Sequence, residues 1–226
     1  MGYVGGHVGQ TIEHAPVTVR LGAAQLDGYL SIPTGAAGVV VFAHGSGSSR
    51  HSPRNRYVAD VLNEAGLATL LIDLLNGDEQ EVDLQTAQLR FDIPFLANRL
   101  VGITQWLREQ PQAARLKVGY FGASTGAGAA LVAAAELPRL IGAVVSRGGR
   151  PDLAGAALEH VEAPTLAIVG GNDGHVLELN RRALERMHCV KSLEVIAGAG
   201  HLFEEAGALA KVAKLARGWF AEELRA

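Results

Sequence analysis

A chain of 226 residues, 48% hydrophobic and 19% charged, is long enough to bury the core of one domain and too apolar to stay disordered. Its net charge of -3 supplies no basic field to hold a phosphate backbone, which argues against nucleic-acid binding. No run of about 18 apolar residues offers a membrane span. The one cysteine, Cys189, permits no internal disulfide, and residues 1–9 are glycine-rich without a basic or apolar leader. A cytoplasmic protein, monomer or homodimer, is expected, with no membrane partner.

Residues 1–15 read as a flexible N-terminal arm, and 16–226 as a single domain. Two short strands, 17–21 and 26–32, open that domain. The unbroken apolar run 39–43 predicts a strand covered on both faces, followed by a Gly/Ser loop and a helix over 53–64. Another buried strand, 67–71, ends near Asp73. Residues 74–92 form an irregular, partly acidic insertion, read as a solvated loop with half a turn of helix or, alternatively, as a flap over the site. Beyond it, helices are predicted over 95–109, 126–136, 176–187 and 204–224. Strands are predicted over 117–121, 141–145, 165–169 and 193–196. Such alternation predicts an α/β fold: a mostly parallel doubly wound sheet with helices on both faces and a short antiparallel start.

The first chemical signal is Gly122-Ala123-Ser124-Thr125-Gly126, between a predicted strand and a helix of small residues. With 28 glycines in the chain the pattern alone carries little. Its setting carries more. A serine on a sharp strand-to-helix turn takes a strained backbone, and glycines two residues to either side remove clashing side chains. The helix behind it offers the Thr125 amide and a partial positive charge where an oxyanion would form. The competing reading is a serine that merely caps the helix.

A serine nucleophile needs a base, and the base needs an orienting acid. His201 lies in a glycine-rich loop after the last predicted strand, and Asp173 directly follows the strand before it. Each has a bland alternative: a loop histidine, and a turn residue or helix cap. Together, Ser124, Asp173 and His201 stand at three expected strand ends in the order of the α/β-hydrolases. Asp152, after the sixth strand, competes for the acid's role but follows Pro151 and reads as the cap of a short helix.

On these residues the chain resembles the α/β-hydrolase superfamily over 17–224, and within it the small, capless dienelactone-hydrolase-like group. The segment Phe42-Ala43-His44-Gly45-Ser46-Gly47-Ser48 is similar to that superfamily's oxyanion loop. The resemblance implies that the amides of Thr125 and of Ser46 or Gly45 form the oxyanion hole. Dienelactone hydrolases proper carry a cysteine where this chain has Ser124. The implied activity is a serine hydrolase acting on a small ester or lactone, through an acyl-enzyme and without cofactor. An acyltransferase, thioesterase or C–C hydrolase on the same scaffold, or a non-catalytic binding module, stays open.

Gly45, Gly47 and Asp73 half-match a dinucleotide fingerprint, but Arg50 stands where its third glycine belongs. The eight histidines show no metal-ligand spacing, and His44 is expected to orient the oxyanion loop. Arg50, Arg54 and Arg147 lie near carboxyl ends of strands, where they would form a cationic, substrate-binding rim favouring small acidic substrates. The alternative has them paired with Asp73, Asp92 or Glu79.

Overall fold

The computed structural model describes residues 11–225. Two antiparallel strands come first, β1 (Ile12–Leu21) and β2 (Ala24–Pro33), in register from Ile12↔Pro33 to Leu21↔Ala24. Residues 1–10 of the expected arm lie outside the described residues, but residues 12–15 belong to β1, five residues ahead of the predicted start. That extension was hidden because β1 is an edge strand. Most of its side chains are exposed or half-buried, so polar residues such as Glu13 and His14 cost it nothing.

The rest of the sheet is β3 (Gly38–Ala43), β4 (Ala68–Ile72), β5 (Lys117–Ala123), β6 (Ile141–Arg147), β7 (Thr165–Gly170) and β8 (Lys191–Ile196). The eight strands stand in the order β1-β2-β4-β3-β5-β6-β7-β8, and every pair from β4 onward is parallel. Strands β3, β4 and β7 are buried at every position, as continuous apolar runs in a two-sided sheet must be.

The described residues form the helices α1 (Pro53–Glu64), α2 (Gly77–Thr86), α3 (Ile93–Glu109), α4 (Thr125–Glu136), α5 (Gly174–Arg186) and α6 (Ala208–Glu223), of which all but α2 cover the two faces of the sheet. Leu62 and Val58 of α1 and Val212 and Phe220 of α6 pack with Phe42, Phe121 and Val145 on one face. Leu100 and Ile103 of α3, Ala130 of α4 and Ala183 of α5 pack with Val41, Tyr120 and Val144 on the other. Alternation along each strand divides the apolar residues between these two cores. The chain winds from β3 to β4 on one side and returns to β5 on the other, so a crevice opens at the carboxyl ends of β3 and β5. Between β6 and β7 there is only a kinked 3₁₀ segment, Pro151–His160, which packs on α4 and α5, so no large cap stands over that crevice.

Two predicted elements are corrected. The insertion 74–92 is not a loop: Asn76 and Glu79 form a reciprocal capping box that starts the ten-residue α2, and a 3₁₀ turn (Leu89–Phe91) follows. The last helix begins at Ala208 rather than at 204, because Phe203 and Gly207 take left-handed backbone (φ 56° and 76°) and turn the chain first.

Candidate active site

Ser124 sits between the end of β5 and the first turn of α4 with φ 50° and ψ −123°. A residue with a Cβ takes that conformation at a cost of about 1–3 kcal/mol. The flanking glycines make the turn possible. A Cβ on Gly126 would collide with the Ala43 carbonyl, and one on Gly122 would collide with the backbone of Ala127. Although Ser124 occupies the N-cap position of α4, its side chain makes no capping bond. The hydroxyl is therefore not consumed by the helix.

Asp173 repeats this pattern at the N-cap of α5, again without a capping bond. Its Oδ2 instead accepts a hydrogen bond from His201 Nδ1 at 2.7 Å. A carboxylate only accepts, so the Nδ1 proton is fixed there and the Nε2 lone pair is left free. The loop that carries His201 is braced: Glu205 accepts from the Gly200 amide at 2.8 Å, and Arg54 donates to Glu204 at 3.2 Å. Asp152 is engaged elsewhere, accepting two bonds from Arg150 at 2.9 and 2.8 Å rather than capping a helix.

Ser124 and His201 both border the end of β6, where Gly148 follows the strand. A Cβ there would stand 3.5 Å from His201 Cε1. The preceding residue, Arg147, accepts through its carbonyl from the Ser124 amide at 3.3 Å. Ser124 Oγ and His201 are not hydrogen-bonded to each other in this structure.

The loop after β3 stands on the other side of Ser124. A Cβ on Gly45 would come within 3.0 Å of the Ser124 Cβ. The Ser46 amide donates to Thr125 Oγ1 at 3.0 Å, which ties this loop to the start of α4. Of the amides expected in an oxyanion hole, Ser46 is thus already engaged, while those of Thr125 and Gly45 have no acceptor among the described residues. His44 fixes the loop from below. Its Nε2 accepts from the Leu74 amide at 3.1 Å, which leaves Nδ1 to donate to the Gly45 carbonyl at 3.0 Å.

Burial holds the His44 pKa below its ordinary 6.5, against the opposing pull of the Gly45 carbonyl and Asp73. The folded state therefore keeps His44 neutral. Below about pH 6.5 the unfolded chain binds a proton that the folded chain does not, so stability falls as the pH drops. Urea titrations between pH 8 and 5 are expected to show this loss, with His44 contributing up to about 1.4 kcal/mol per pH unit. His44→Asn should flatten the slope; an unchanged slope would assign the acid sensitivity to other groups.

The three arginines do not form the expected rim. Arg50 is locked to Asp73, through its guanidinium and through its amide at 2.6 Å, and lies over the Tyr29 ring. Asp73 is accordingly a brace of this loop, and the dinucleotide reading loses its acidic residue. Arg54 is paired with Glu204. Arg147 alone faces no carboxylate among the described residues. It is 7% exposed, its Nε is buried without a partner, and its guanidinium lies 5.9 Å from the Phe203 ring centre. Burial, reinforced by the nearby Arg54, lowers its pKa to about 10. No group of three or more His, Cys, Asp or Glu among the described residues is placed to hold a metal, and no described helix is long and apolar enough to cross a membrane.

A solved structure of a dienelactone hydrolase from Anabaena variabilis shares 62% identity with the chain at a TM-score of 0.93, covering 95% of this chain and 99% of that one. An esterase from Pyrococcus furiosus, at 17% identity and a TM-score of 0.73, covers 94% of this chain and 92% of its own, and shares the fold. Two curated proteins of Mycobacterium tuberculosis, named phosphoribosyl transferases, are 58% identical over 209 residues. The match covers 92% of this chain but only 46% of theirs, so the chain spans less than half the length of these relatives. The model of the dienelactone hydrolase family matches residues 26–220, and the chain belongs to that family.

Proposed function

We propose that the chain is a serine hydrolase that cleaves carboxylic esters or lactones through an acyl-enzyme. The observation that carries this reading is the Asp173–His201 bond beside a strained serine that caps nothing. Ser124 Oγ attacks the carbonyl carbon while its proton passes to His201 Nε2, and Asp173 steadies the imidazolium that results. Negative charge then grows on the former carbonyl oxygen, next to the unengaged Thr125 and Gly45 amides and the positive end of α4. The C–O bond breaks with its electron pair on the leaving oxygen, which takes the proton from His201. Water repeats the sequence and frees the acid.

The transferase name of the mycobacterial relatives describes proteins more than half of which lies outside the match, and nothing in the Ser124 site calls for a phosphoribosyl group. Incubation with a fluorophosphonate and peptide mapping tests the hydrolase reading. A single adduct on Ser124 is expected; labelling elsewhere, or none, overturns it and favours a binding module.

Arg147 bears on the substrate's charge. A buried cation without a counter-ion is costly to hold, and a bound carboxylate would offset that cost. Esters or lactones bearing a carboxylate are expected to outcompete neutral isosteres by about 10–100-fold in kcat/KM, the equivalent of one charged hydrogen bond. Added salt should narrow the preference, and Arg147→Met should abolish it. An equal loss on both substrate types would make Arg147 a support for Phe203 and the His201 loop instead.

A further inference from the structure

Across the nucleophile from His201, a cleft of about 90 Å³ runs between the loop after β3 and α2. Gly45, Ser46 and Thr125 form one wall, so the cleft opens directly beside the expected oxyanion site. Leu75, Leu84 and Leu96 contribute to the other.

The helix in that wall is built inside out. Asp83 is buried, whereas Leu84 is 71% exposed and Val82 54%. The inward acid does not leave a charge in the cleft. Arg90 donates to it from Nε at 2.6 Å and from its amide at 2.9 Å, and Nη2 reaches the Asp83 carbonyl at 2.9 Å. Burial alone would raise the Asp83 carboxyl, but these bonds hold it below its ordinary value, so the pair stays ionised and mutually neutralised. Glu79 at the helix start is likewise bonded to Arg99 of α3. Polar clamps thus fix α2 in position, and leucines are left to meet whatever enters the cleft.

The order of strands decides which part of a substrate that is. Ser124 follows β5; the cleft belongs to the β3 and β4 side, and His201 belongs to the β7 and β8 side. In acyl transfer the leaving oxygen must receive its proton from His201 and so must face β7 and β8. The acyl chain then points the opposite way, into the cleft. We propose that this cleft is the acyl subsite, shaped for a short apolar chain, with Leu84 as its outer wall. The inference rests on the acyl-enzyme reading and adds to it the class of acyl group. The cleft is small, at about 90 Å³, which favours a short acyl chain over a long one.

The test is a series of p-nitrophenyl esters with acyl chains of two to eight carbons, together with acetates of differing alcohols. The native chain should prefer butyrate to acetate and lose at least tenfold in kcat/KM at octanoate. Leu84→Trp, at an exposed helical position, should lower the butyrate-to-acetate ratio at least fivefold. Val82→Trp on the same helix, away from the cleft, should leave that ratio within twofold. Equal effects of the two variants would mean that the helix merely shifts, and would overturn the proposal. Selection among alcohols rather than acyl chains by Leu84→Trp would overturn it too. No hydrolysis of any ester by the native chain would remove the hydrolase reading itself, and the subsite with it.

Discussion

Ser124→Ala is expected to lower ester turnover by about 10³–10⁶-fold, the range seen when a serine hydrolase loses its nucleophile and keeps only its binding and oxyanion contacts. The fold should persist, because the hydroxyl makes no capping bond to α4 and no other element depends on it. Ser124→Gly separates chemistry from backbone. It should be equally inactive, yet more stable than the alanine variant by about 1 kcal/mol, since glycine takes φ 50° freely while alanine keeps the strain. Steady-state rates and urea midpoints on the two variants check both statements. Near-native turnover by the alanine variant would end the nucleophile assignment, and a glycine variant no more stable than alanine would remove strain from the account of the turn.

The legible part of the candidate site was the placement given by strand ends. Ser124 and Asp173 follow buried apolar strands closely, and His201 lies in the loop after β8, so the order of strands alone sets all three on the carboxyl side of the sheet. The open rim expected of the arginines is not what the structure shows, because proximity to a strand end does not give direction. Arg147 lies two residues beyond Val145, which faces the core between the sheet and helices α1 and α6. Strand alternation turns its side chain to that face of the sheet, where it is buried against Phe203 of the loop that carries His201 rather than exposed on a rim. Arg50 and Arg54 sit on the loop and helix after β3, and their partners Asp73 and Glu204 are distant in sequence, so no local pattern announces either pair. The insertion carried a signal that was passed over: Asn76 followed three residues later by Glu79 is a capping box, and its recognition would have predicted α2 and with it the wall of the cleft. Apolar periodicity could not have found that helix, since its buried residue is an aspartate and its leucine is exposed.

Asp173→Asn is expected to lower kcat by about 10²–10⁴-fold with little change in KM, and to leave the fold intact. The carboxylate does two things for His201. By accepting from Nδ1 at 2.7 Å it keeps Nε2 unprotonated and aimed away from itself, and its charge stabilises the imidazolium formed when Ser124 gives up its proton. The amide carries no charge, and its NH₂ group facing Nδ1 would drive the imidazole proton to Nε2, where it cannot receive another. Loss of stability should be small because the Asp173 side chain does not cap α5. Asp152→Asn is the matched control. That carboxylate is held by the part-exposed Arg150, a pair of the kind that contributes about 0–1 kcal/mol, and its replacement should leave turnover within about threefold. Circular dichroism and rates measured side by side on the two variants decide the matter: a greater loss from Asp152→Asn would move the acid to the end of β6 and leave the Asp173–His201 bond as a brace for the loop alone.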